Sequence, residues 1–182
     1  MSEPEKILEN ATLTFLMREV KEVPEILLAR KMKKIAAGFW NGYGGGIEKV
    51  DISEVHSARR ELLEEGRIIA PTTGFTKMAI IDFHNTTSEG KKFTCRVHVF
   101  VLSSWRGEIK STAEMRDPTW FRYADIPYDD MAPADRFWLP KVLAGEKFFA
   151  EANLGPHQRE LIGEVTFRGI KPEEMPMFEA KY

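Results

Sequence analysis

The chain has 182 residues, 43% of them hydrophobic, and a formal net charge of −2 at pH 7. That is enough apolar material for one buried core, and the balanced charge excludes a global electrostatic bias toward nucleic acid. The single cysteine, Cys95, excludes an internal disulfide or a cysteine-built metal knuckle.

No apolar run reaches the ~18 residues that a membrane span needs. The amino-terminal residues 1–6 lack the basic and apolar regions of a signal peptide. One domain over 1–182, located in the cytoplasm, is the expectation. In chain order, residues 11–17 read as a strand and 25–30, after Pro24, as a second. A basic patch at Arg30, Lys31, Lys33 and Lys34 leads through Trp40, Asn41 and Tyr43 into the run Gly44, Gly45, Gly46. A helix is expected over 53–65, capped by Ser53 and closed by Gly66. Residues 77–84 and 93–103 read as paired strands joined by a polar loop. A short strand at 119–123, a second helix at 133–143 and a hairpin at 147–153 and 160–167 follow, then an irregular tail from about 169. Strands on both sides of one helix, with a later helix for the opposite face, predict an α/β sandwich around a mixed sheet.

The first helix carries the most chemistry. At about 100° per residue, Glu61, Glu64 and Glu65 fall within roughly a third of its circumference. Like charges at such spacings each cost about 0.2–0.5 kcal/mol on an isolated helix. A positive partner offsets that cost, and hard divalent ions prefer oxygen ligands. Val55, Ala58 and Leu62 form the apolar stripe that fixes the helix to a core. Arg60 stands beside the carboxylates and can hold one through a charge-assisted fork. Acidic helical faces are usually only solvated. The upstream glycines, read as a flexible loop, alter the balance, because glycine permits positive φ and close backbone approach to an ion or a phosphate.

Together these segments resemble the signature of the Nudix hydrolases, Gly-x5-Glu-x7-Arg-Glu-U-x-Glu-Glu-x-Gly-U, with U aliphatic. Gly46, Arg60, Glu61, Leu62, Glu64, Glu65 and Ile68 fall on it without a gap. Ile52 stands where the first Glu belongs and Arg67 where the last Gly belongs; a one-residue loop insertion would bring Asp51 or Glu48 into the missing acid's role. The resemblance implies a Nudix fold, an α/β/α sandwich. It also implies a Mg²⁺ site (Mn²⁺ as alternative) at Glu61, Glu64 and Glu65, joined by the Gly46 carbonyl.

Met115-Arg116-Asp117-Pro118-Thr119-Trp120-Phe121, Ile126-Pro127-Tyr128 and Phe137-Trp138-Leu139-Pro140 extend the likeness toward the 8-oxo-dGTPase branch, which destroys oxidised purine nucleoside triphosphates. That branch implies base contacts at Asn41 and Asp135 and a further catalytic acid at Glu114. Ala132 and Ala134 occupy places where it usually has a stacking Trp and a second Asp. Lys33 and Lys34 are candidates to meet phosphates. The expected reaction is hydrolysis of a nucleoside triphosphate to the monophosphate and pyrophosphate. Glu61 or Glu64, then Glu114, is the candidate general base, and Arg60 orders the carboxylates. The partner is a small nucleotide, not nucleic acid or membrane. Other readings are a hydrolase of another nucleoside-diphosphate derivative, a non-catalytic nucleotide-binding module, and an interaction domain with a solvated acidic helix.

Overall fold

The computed structural model describes residues 7–33 and 36–174. Lys34, the first six residues and the tail after 174 lie outside the described residues. Eleven regular elements position the site. They are β1 (Ile7–Val20), β2 (Val23–Lys31), β3 (Trp40–Asn41), β4 (Tyr43–Gly46), α1 (Glu54–Gly66), β5 (Phe75–Thr86), β6 (Lys92–Leu102), β7 (Met115–Arg122), α2 (Asp135–Leu143), β8 (Phe148–Leu154) and β9 (Leu161–Gly169).

Among the described residues the strands form one mixed sheet, ordered β3-β2-β1-β6-β5-β8-β9, with β4 paired to β1 and β7 to β2. The pairs β1–β6 and β5–β8 are parallel, and the others are antiparallel. β1 serves three partners. Its middle, Ala11–Thr14, lies between β4 and β6, while Met17–Val20 turns into a hairpin with β2.

The period-two alternation of β1 separates two cores. Leu13 and Phe15 join Trp138, Leu139 and Val142 of α2, with Val99 and Ile81 from the sheet. Leu16, on the opposite face, joins Val55, Ala58 and Leu62 of α1 with Phe100 and Leu102. The apolar stripe of α1 is buried as its sequence spacing requires, and a helix covers each face, as the sandwich expectation has it.

Three local expectations change. The glycines at 44–46 are not a loose loop but a strand, and none of them has positive φ. Their role is close approach: a Cβ on Gly44 would sit 1.9 Å from the Thr12 carbonyl oxygen, and one on Gly45 would sit 2.6 Å from Glu61 Oε1. The first helix runs through Gly66, and Arg67 closes it in the left-handed region, φ 57°, with its N–H directed to the Leu62 and Leu63 carbonyls. Gly66 is needed for packing, since a Cβ there would meet the Tyr43 ring at 2.8 Å. A non-glycine residue in that conformation costs about 1–2 kcal/mol. The strand expected at 119–123 begins earlier, at Met115, because pairing with β2 tolerates Pro118 across a register shift. Ser53 caps α1 as predicted, its hydroxyl accepting from the His56 N–H.

Candidate active site

Arg60 organises the acidic end of the site. Its Nε and Nη2 donate to the two oxygens of Asp51 at 2.9 and 2.8 Å, a planar fork on a carboxylate whose side chain is only 4% exposed. Nη1 donates to Glu61 at 2.9 Å and to Glu64 at 3.2 Å, and Nη2 also reaches the Gly46 carbonyl at 3.1 Å. Asp51 thus takes the part of the missing acid, with no insertion needed. Glu48 is a more distant second partner at 3.6 Å, and Ile52 is 81% exposed. The guanidinium holds the Asp51 carboxyl down to about 2.

Glu65 is held differently. It is buried, and one oxygen accepts the Gly44 N–H at 3.0 Å. Desolvation raises its carboxyl to about 7, against the pull of that N–H and of the Lys31 charge; the charges of Glu61 and Glu114 add to the rise. Glu64 is the most exposed of the three helix acids. Glu114 is half-buried before β7, and its carbonyl accepts from the Met32 N–H at 2.9 Å.

A cavity of about 170 Å³ opens beside this end. Gly44, Gly45, Gly46, Glu9 and Lys31 line it near α1. Its other walls include Asn41, Phe83, Cys95, Ala132, Asp135, Trp138 and Gln158. Asn41 is placed there by the pairing of β3 with β2, its side-chain oxygen accepting from the Gly42 N–H at 2.9 Å. Asp135 opens α2, is 4% exposed, and accepts from the Trp138 indole N–H at 3.0 Å. Burial raises its carboxyl to about 7, so near neutral pH it can donate as well as accept.

The structure therefore gathers Arg60, Glu61, Glu64, Glu65 and Gly46 at one end and Asn41 and Asp135 along the cavity. Lys33 is exposed and does not line it; Lys31, two residues earlier on β2, does. Ala132 lines the cavity, whereas Ala134 is fully buried in the core. Sequence reasoning gave no site role to Lys31, Phe83, Cys95 or Gln158. Strand alternation offered a signal for Phe83 and Cys95, which face each other across β5 and β6.

The chemistry of the acidic end suits a divalent cation of the open kind. Among the described residues no three His, Cys, Asp or Glu side chains close on one point as a preformed cage. Mg²⁺ typically takes one or two carboxylates with waters and substrate phosphates. All the donors here are oxygens, and the glycine strand lies so close to Glu61 that any side chain on Gly45 would cover the carboxylate.

A family model described as the NUDIX domain matches residues 8–142. The chain is 34% identical over 129 residues to the oxidized purine nucleoside triphosphate hydrolase of Mus musculus, covering 71% of this chain and 78% of that protein. It is 35% identical over 123 residues to the Danio rerio protein of the same name, covering 68% and 74%. The fold is similar to that of a MutT protein from Bacillus halodurans, with a TM-score of 0.71 at 21% identity over 88% of this chain and 97% of that one. No helix among the described residues is long and apolar enough to cross a membrane. On the match over residues 8–142 and these relatives, the chain belongs to the Nudix hydrolase family.

Proposed function

We propose that this chain is a Mg²⁺-dependent pyrophosphohydrolase, with Mn²⁺ as a substitute, that cleaves purine nucleoside triphosphates to the monophosphate and pyrophosphate. Oxidised purines such as 8-oxo-dGTP are the proposed substrate class, and sanitation of the cytoplasmic nucleotide pool is the role. The whole chain acts as one catalytic unit on a small nucleotide. The observation that carries this reading is a cavity whose rim is a bare glycine strand packed against ordered carboxylates, with Asn41, Asp135 and Trp138 on its other walls. The names of the mouse and zebrafish relatives support the substrate class.

Each part has a task. Asp51 fixes Arg60, and Arg60 orients Glu61 and Glu64, so the acids lose little entropy on engaging substrate. When bound by Glu61, Glu64 and Glu65 with the Gly46 carbonyl, a divalent cation supplies Lewis acidity toward the diphosphate. Lys31 lends positive charge at the same rim. Glu61 or Glu64, with Glu114 next, accepts a proton from the attacking water. Asn41 and protonated Asp135 orient the base through hydrogen bonds. Ala132, on the cavity wall, leaves room that a larger side chain would fill, which favours a wider range of bases or diphosphate derivatives as a second reading.

The test is pyrophosphate release from 8-oxo-dGTP, 2-hydroxy-dATP and dGTP with Mg²⁺ or Mn²⁺. Glu64→Gln is expected to lower turnover by about 100-fold or more with the melting temperature retained. Full activity in that variant, or no release from any triphosphate by the unaltered chain, sinks the reading.

A further inference from the structure

Gln158 stands on the cavity wall although it follows α2, beyond residue 142 where the NUDIX match ends. It lies in the turn between β8 and β9. Both His157 and Gln158 have φ 58°, left-handed backbone that non-glycine residues rarely adopt and that costs free energy. The turn is held in this form by Gln158 N–H to the Gly155 carbonyl at 3.0 Å and Gly155 N–H to the Glu160 carbonyl at 2.9 Å.

The orientation of its amide is fixed by a relay. Buried Asn85 donates Nδ2 to the Phe83 carbonyl at 2.9 Å, and a carbonyl only accepts. Asn85 must therefore turn Oδ1 the other way, where it accepts Gln158 Nε2 at 3.0 Å. That leaves the Gln158 Oε1 acceptor for a ligand. A second cleft of about 370 Å³, lined by Thr86, Thr87 and Ser88, also has Gln158 in its wall. Gln158 thus lines both cavities.

Its place in the sheet says which part of a ligand reaches it. The glycine strand β4 pairs with β1, and β1 is followed by β6 and then β5, which carries Asn85. Three inter-strand spacings, about 14 Å, separate the glycine rim from the strand that anchors Gln158. A nucleotide with its phosphates at the rim turns the part of its base farthest from the sugar toward Gln158. For a purine that part is the six-membered-ring edge.

We propose that Gln158 is a specificity-determining residue whose side-chain carbonyl accepts a hydrogen bond from an amino group on the six-membered-ring edge of a purine. Asn85 is its positioning residue. This rests on reading the cavity as a base pocket.

Calorimetric titration of the full chain with four nucleoside 5′-monophosphates tests it: guanosine against inosine, and adenosine against purine riboside. Within each pair the members differ at an exocyclic amine. Gln158→Ala is expected to weaken the amine-bearing member of one pair by about 3–10-fold while changing its partner less than about twofold. Gln158→Met, which keeps the reach but has no carbonyl, should reproduce that selective loss, and Asn85→Ala, which leaves the amide unanchored, should give a weaker one. Melting temperatures report folding, and a purely structural role would weaken both members alike. Equal losses within both pairs, no loss, or no binding of any monophosphate by the unaltered chain overturns the proposal. Binding does not require turnover. A selective loss in a chain that hydrolyses no triphosphate would refute the hydrolase reading alone, whereas hydrolysis without selective loss would refute only the role of Gln158.

Discussion

Asp51 and Asp135 are the same side chain, both with little solvent exposure: Asp51 connects to the cavity's glycine rim through Arg60, and Asp135 lines the cavity wall. Asp51 meets a guanidinium fork and is held ionised, down to about 2. Asp135 meets apolar walls and one indole N–H, and is pushed up to about 7. The neighbour decides the charge: a guanidinium keeps Asp51 ionised, and deep burial without a cation neutralises Asp135. The Arg60 cluster is built to keep charge and to order it, the wall at Asp135 to suppress charge and keep hydrogen-bonding capacity. The first arrangement suits phosphate chemistry and the second suits discrimination between bases.

The comparison can be broken most forcefully at Asp51. Asp51→Asn turns an amide N–H toward Arg60, loosens the fork, and is expected to lower kcat/KM by about 10–100-fold, as for other residues that orient metal ligands. The paired control is Ile52→Glu, at the position where the family pattern has its acid. Because Ile52 is exposed and Asp51 already fills the role, that change should alter kcat/KM by less than about twofold. Recovery of activity by Ile52→Glu in an Asp51→Asn background would show that Arg60 accepts either acid.

At the cavity wall, Asp135→Asn sharpens the contrast through pH. The folded-state value lies above the ordinary 3.8, so the folded chain retains a proton that the unfolded chain releases. This group therefore makes stability fall as pH rises from about 4 toward 7, and the penalty then stays level. Asp51 works with the opposite sign: its contribution is present above the ordinary value and is lost as pH falls toward about 2. The Asn variant should be more stable than the unaltered chain at pH 8, by an amount on the order of a few kcal/mol, with the gap closing near pH 4. Chemical denaturation at those two pH values measures it, and a gap that does not change with pH would contradict the assignment.

The smallest expected effect is at the end of α1. Arg67→Gly removes left-handed strain from the helix-closing residue and should stabilise by about 1 kcal/mol, less the chain entropy that glycine adds. A thermal shift assay that shows a lower melting temperature would count against strain at that position.

What could be read from the amino acids follows the same division. The α1 end is continuous in sequence, so Ser53, the apolar stripe and Arg60 with its acids were legible from spacing. The β4 strand was not, because a glycine run carries no strand propensity and is extended only by its pairing with β1. Lys31 and Lys33 look alike in sequence, and only the pairing of β2 decides which one meets the cavity. Asn85 and Gln158 are 73 residues apart, and nothing local to either marks the bond between them. The expectation of Gly66 as the helix stop failed because packing against Tyr43 claimed that glycine first.

The central place of β1 has a consequence for how the chain reaches this state during synthesis. Its longest partner is β6, in parallel register from Asn10 opposite Arg96 to Leu16 opposite Leu102. Some eighty intervening residues must leave the ribosome before that ladder can close, and loop closure over such a span is slow. Until then the nascent segment can form only its hairpin with β2 and the short pairing with β4. One edge of β1 stays open to wrong partners, and holding that edge unoccupied is a natural task for a chaperone.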